Sequence, residues 1–358
     1  MIIFVALNEI QVIDMAQIAE KKRLNYIDDA KALAIFLMIV GHLGYYKITD
    51  LLIYGFHIPL FFIVSGMFFN PDRSFRENVS KGFKQLIIPY LCFEIINLSI
   101  GWISPYQHPE QFHGITGLGI IKAALLGIFF GQDYVTKISF LPLGPLWFLV
   151  ALFWDRTLFA ALSKLFKNKY LLLVVSFVVG LGLYFGLSKN ILPFKSAGTN
   201  IFSIRCAAMA LPFYAIGYLL KGVDFKKINY RPLITVVLAA FYVVSSLYNG
   251  LCGIDELLFG KNIVLYYLNA VVGTLAVILF FSMVEMPEYI HSVGRNTLLI
   301  LGMSAFPVFI YKFFQTLIFH DTYIAHYYIY VPLSVACIVV IMPLRKFFEK
   351  YLPFALGK

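Results

Sequence analysis

Runs of apolar residues long enough to cross a bilayer recur from Lys31 onward, and no hydrophilic stretch between them approaches domain length. Backbone in hydrocarbon must satisfy its own hydrogen bonds, so this pattern dictates helices stacked side by side in a membrane. Mean hydropathy is +0.81 and 13% of the residues are charged, about half the charged fraction of a soluble domain. The net charge of +10 does not describe a nucleic-acid surface, because the basic residues fall between apolar runs. Cys92, Cys206, Cys252 and Cys337 stand alone, with neither metal-ligand nor disulfide spacing, and read as small apolar fillers. Residues 1–19 lack the positive start of a secretory signal, since Glu9 and Asp14 interrupt a short apolar run. Residues 1–14 form an interfacial helix, or translation starts at Met15.

Apolar segments fall at about 30–46, 50–69, 84–103, 115–130, 145–163, 170–188, 203–221, 232–250, 262–284, 296–318 and 327–347. Basic clusters at Lys21–Arg23, Arg73–Lys84, Lys164–Lys169, Lys221–Arg231 and Arg345–Lys350 set the orientation. All of them lie on the cytoplasmic side if the short, glycine-bearing segment at 115–130 does not cross. The expectation is an all-α integral membrane fold, a polytopic bundle of about ten transmembrane helices with both termini cytoplasmic. Residues 1–24 form a cytoplasmic segment, 25–348 the transmembrane domain and 349–358 a cytoplasmic tail. The stretch 104–143 becomes a long outer-face excursion. There is no internal repeat of the kind that builds the paired, inverted, broken helices of many secondary transporters.

On the first apolar segment Asp28, Lys31, Ile35, Met38 and His42 form one stripe. The separation of eleven between Lys31 and His42 is close to three helical turns, about 16 Å along one face. A bilayer charges several kcal/mol for such groups unless they face a protein interior or a water-filled cavity. The stripe is therefore a candidate functional site, with Asp28 orienting Lys31 as an i,i+3 pair. His57 starts the returning segment at similar depth to His42, either sharing a cavity with it or serving with Pro59 as a packing and kink element.

The run Phe56-His57-Ile58-Pro59-Leu60-Phe61-Phe62-Ile63-Val64-Ser65-Gly66 follows the Asp28…Lys31…His42 stripe. Together with Ile88-Pro89-Tyr90, Leu146-Trp147-Phe148-Leu149, Gly217-Tyr218 and Gly294-Arg295-Asn296-Thr297, it resembles the acyltransferase-3 family of integral membrane O-acyltransferases. The likeness runs from about residue 24 to 347 and is closest to the subgroup of fucose 4-O-acetylase-like enzymes and polysaccharide acetyltransferases. Two positions depart from the family pattern. Lys31 stands where arginine is usual, keeping charge but losing the planar fork, and Ser304 and Ala305 stand where many members carry a histidine.

The resemblance implies transfer of an acyl group, usually acetyl from acetyl-CoA as co-substrate, to a hydroxyl of a sugar or cell-surface glycan, possibly lipid-linked. No bound cofactor and no metal is expected, and the place is the bacterial cytoplasmic membrane. A sugar hydroxyl is a poor nucleophile at neutral pH, which suits His42 to the role of general base, or less directly of acyl carrier. Lys31, Arg73, Arg76 and Lys84 are donor-binding candidates for the CoA phosphates, although the loop cations equally serve topology. Glu94 either orients a histidine or makes a buried structural hydrogen bond. Acceptor candidates are His57, Trp147 as an aromatic platform, and Arg205, which binds an acidic group or merely snorkels to the interface. His108, His113, His320 and His326 fall in outer loops. The rival readings are a sugar or glycan transporter using Asp28, Lys31 and His42 as a proton relay, and a non-catalytic scaffold for polysaccharide export.

Overall fold

A computed structural model describes residues 24–43, 47–101, 144–188, 201–319 and 327–358, with the single positions 125 and 128. The rest of 104–143, expected as an excursion, the segment before residue 24, and His108, His113, His320 and His326 lie outside the described residues. The described chain is mostly helical. The leading helix α1 (Asn25–Leu43) is followed by α2 (Lys47–Tyr54) and α3 (His57–Met67), then by α4 (Phe75–Gly82), a single π-helical turn (Phe83–Ile87) and α5 (Ile88–Gly101). After the undescribed stretch come α6 (Trp147–Leu165), α7 (Lys169–Ser188), α8 (Ile204–Leu219) and α9 (Arg231–Asn249). A two-residue hairpin, β1 (Cys252–Gly253) with β2 (Leu258–Phe259), leads into α10 (Ile263–Met283). The chain continues through α11 (Glu288–Arg295), α12 (Thr297–Met303), α13 (Ala305–Phe319), α14 (Tyr327–Ile341) and α15 (Leu344–Tyr351).

By length and composition, five described stretches suit a membrane crossing: Ile48–Met67, Lys169–Gly186, Arg231–Asn249, Ile263–Met283 and Ile329–Tyr351. A sixth arises if α11 and the helix run after it, bent by 65°, count as one broken span. Two further helices are long enough but carry three charges each: Asp28, Asp29 and Lys31 on α1, and Asp155, Arg156 and Lys164 on α6. Their carboxylates turn inward, since Asp28, Asp29 and Asp155 are all buried, so these helices stand among neighbours instead of facing lipid. The α9 and α7 surfaces do the reverse, exposing Val236, Val244, Val174 and Val178.

Two glycines let α3 and α8 cross with their backbones in contact. A Cβ on Gly66 would lie 2.0 Å from the Tyr214 carbonyl oxygen, and one on Gly217 would lie 1.9 Å from that of Ile63. Around the crossing Phe69 meets Phe159, Tyr214 and Tyr218 edge-on at 5.1, 6.1 and 5.8 Å. Lysines tie the connection after α3 to neighbouring helix ends. Lys164 Nζ donates to the Pro71 carbonyl at 2.9 Å, and Lys221 Nζ to that of Phe69 at 2.9 Å. Burial lowers the pKa of Lys221, against the pull of Asp72. The start of α1, with Tyr26 against Phe225, and the segment after α15, with Gly357 against Gln85, belong to this same basic end.

The basic connection folds into α4 by local chemistry. Ser74 accepts from the Glu77 backbone at 3.2 Å while Glu77 accepts from the Ser74 backbone at 2.7 Å, a reciprocal capping box. The same bonds hold the Glu77 carboxyl below its usual range. At the other end of the bundle, Asn262 caps α10 by accepting from Val264 and Leu265.

Candidate active site

A half-open cavity of about 530 Å³ lies among α1, α3, α4, the π-turn, α6, α8 and α12. Its basic-end lining comes from Arg73, Lys81 and Gln85, and its inner walls from Ile35, Met38, Phe61 and Leu149. Four cations line it, Lys31, Arg73, Lys81 and Arg156, and no carboxylate does among the described residues. Such a void has a positive potential with apolar walls, and favours a ligand that is anionic at one end and apolar along its length.

Lys31 reaches this cavity from α1, its Nζ held 2.7 Å from Asp28 Oδ1. The i,i+3 spacing makes that pair, and it fixes the ammonium while the rest of its surface faces the void. The neighbouring Asp29 points elsewhere, accepting from His291 Nδ1 at 2.6 Å. His291 sits on α11, whose Gly294 lies so close to α1 that a Cβ there would be 1.8 Å from the Asp28 carbonyl oxygen. The pairing and the close approach together fix the start of α1, and with it the register at which Lys31 enters the cavity.

His57 lines the cavity from the first turn of α3. At the break between α2 and α3 the Ile53 carbonyl accepts from the Phe56 N–H at 3.4 Å, and His57 Nδ1 lies 2.8 Å from it. A carbonyl only accepts, so Nδ1 carries the proton and Nε2 presents a lone pair in the neutral ring. That Nε2 is buried and has no hydrogen-bond partner among the described residues. Pro59, expected as a kink, sits inside the first turn of α3, where a missing N–H costs little. Tyr54 packs edge-on to the His57 ring at 5.3 Å, and His42 on α1 lies within electrostatic range of that ring.

The structure brings together Lys31, Arg73 and His57 out of the sequence candidates. His42 is close to His57 but is not among the lining residues, and Asp28 acts through Lys31. Arg76 and Lys84 turn away and line a separate groove. Glu94 is fully buried on α5, outside the lining. Trp147 packs against Phe148 at 6.4 Å, and Phe148 itself forms cavity wall. Arg205 lies at the start of α8, at the end opposite Lys221, 5.4 Å from the Tyr184 ring centre. Sequence reasoning missed Arg156, Gln85, Tyr214 and His291. Arg156 Nη1 donates to Gln85 Oε1 at 3.1 Å across 71 residues of chain, a pairing without any local signature. An arginine in mid-segment on α6 was the one available signal.

These features define a class: a helical membrane protein with a cation-lined cavity that has a histidine in its wall. A comparison with protein-family models matches residues 24–344 to an acyltransferase domain, that of the acyltransferase-3 family. The chain therefore belongs to that family of membrane acyltransferases. Neither the curated proteins nor the solved structures contain a match.

Proposed function

We propose that this chain moves an acetyl or other short acyl group from acyl-CoA to a hydroxyl of a sugar or glycan, at the cell surface or on a lipid-linked precursor. The proposal places it in the bacterial cytoplasmic membrane with ten spans and both termini cytoplasmic, in the fucose 4-O-acetylase-like subgroup. The observation that carries the reading is the cavity itself. Its cations at the basic end suit the CoA phosphates, and its apolar walls suit the pantetheine arm. The arm delivers a thioester toward His57 and, just beyond it, His42.

The chemistry follows from the two imidazoles. The acceptor oxygen attacks the thioester carbonyl carbon as its proton passes to the neutral ring nitrogen of the base. The tetrahedral intermediate then expels the CoA thiolate, which takes that proton back from the imidazolium, leaving an O-acyl ester and free CoA. His42 is assigned the base by its place in the family pattern. His57 is the second candidate, because it lines the cavity and its buried Nε2 has no hydrogen-bond partner among the described residues. Lys31, pinned by Asp28, attracts the donor's negative charge, while Trp147 and Arg205 belong to the acceptor side.

Reconstituted protein with radiolabelled acetyl-CoA, followed for both free CoA and label on added glycan, tests this. His42→Ala should lower kcat/KM at least about 100-fold, and Lys31→Ala should raise the donor KM with little change in kcat. Activity lost in His57→Ala but kept in His42→Ala moves the base to His57. A folded protein that releases no CoA from any acyl-CoA offered refutes the reading.

A further inference from the structure

Arg76 and Lys84 are left unused by the cavity, and the surface they occupy is built. With Ser80 they form one row on the helical run from α4 into the π-turn, at steps of four residues. Phe75, Val79 and Phe83 form the adjacent row at the same steps. Together with Ile88 these six side chains line a groove of about 600 Å³. Phe75 and Phe83 are 45% and 47% exposed, unusual for aromatic side chains unless lipid or a partner covers them. Asn78, Lys81 and Gln85 of the same run line the main cavity instead, as does Arg73 just before it, so the two voids lie on different faces.

The cations in the groove are uncommitted. Among the described residues neither Arg76 nor Lys84 makes a hydrogen bond or an ion pair. The nearest carboxylate in sequence, Glu77, is spent on the Ser74 cap, and the charges that bear on it are those of Arg73 and Lys164. The groove itself is almost wholly apolar, and the exposed charged ends of Arg76 and Lys84 flank the Ser80 hydroxyl at its edge. That is the complement of one phosphate joined to hydrocarbon chains. We propose that this groove binds an anionic phospholipid, its phosphate on Arg76, Ser80 and Lys84 and an acyl chain along Phe75, Val79, Phe83 and Ile88. The assignment does not depend on the acyltransferase chemistry.

Native mass spectrometry of the whole protein in detergent tests it, with phosphatidylglycerol and phosphatidylcholine added separately at equal concentration. Wild type should retain phosphatidylglycerol under activation that strips phosphatidylcholine. Arg76→Gln with Lys84→Gln should cut that retention at least tenfold, and Phe75→Ala with Phe83→Ala should cut it for either headgroup. Arg73→Gln, in the turn before the same helix and lining the cavity instead, should leave it unchanged. Equal retention of both lipids, unchanged retention in the double glutamine variant, or an equal loss in Arg73→Gln overturns the proposal. Displacement of the lipid by inorganic phosphate at matched concentration would make the groove a free-anion site, which also overturns it.

Discussion

At the scale of single residues, the start of α1 carries two carboxylates with separate duties. Asp28 holds Lys31 at the cavity wall, and Asp29 is bound by His291 from α11. The first pair was legible, because both partners lie on one helix at i,i+3. The second was not, because its partners are 262 residues apart and nothing near His291 in the chain announces a carboxylate. His291→Ala leaves a buried carboxylate without its donor, and should cost on the order of 3 kcal/mol of stability. His291→Asn, which keeps a donor, should recover part of it. A thermal-unfolding series in detergent micelles reads the difference. Asp28→Asn should instead spare stability and weaken donor binding, since Lys31 keeps its charge but loses its anchor.

At the scale of elements, the apolar pattern located segments well and failed at their interruptions. The segment at 50–69 is two helices, broken where the His57 ring bonds the Ile53 carbonyl, and 296–318 is divided at Ser304. Hydropathy averages over a window and does not register a side chain bonding to one carbonyl of the backbone. The basic connection was read as topology, yet Ser74 followed three residues later by Glu77 is the local signature of a capped helix, and α4 obeys it. Ser74→Ala should destabilise α4 by about 1 kcal/mol, visible as faster amide exchange over residues 75–82. Acidification should have the same sense. The Glu77 carboxyl is held low by its bonds to Ser74, so its contribution is complete above the ordinary carboxylate range and fades as pH falls through the lowered value.

At the scale of the whole molecule, charge explains why composition alone passes over α1 and α6. Helices such as α1 and α6 carry the polar groups of the chamber and so look least like membrane helices, although they are surrounded by protein. The hairpin end of the bundle supplies a global pH response. Asp255 has its pKa raised to about 6, first by burial and then by the charge of Glu256. An acid with a raised folded value is more protonated in the native than in the unfolded chain. Stability therefore falls as pH rises from about 4 to about 6 and levels off above. Asp255→Asn should flatten that slope and gain on the order of 2 kcal/mol at pH 7, read from midpoints measured across that range.

The backbone contact between α3 and α8 bears on how the sequence is free to drift. Where Gly66 and Gly217 meet, the spacing of two cavity walls is set by main chain, and a single methyl group is already too wide. In a library covering every position, these two sites should reject even alanine, while Val236 and Val244 on the outer face of α9 accept almost any apolar side chain. The chamber is thus held most strictly by residues that contribute no side chain to it.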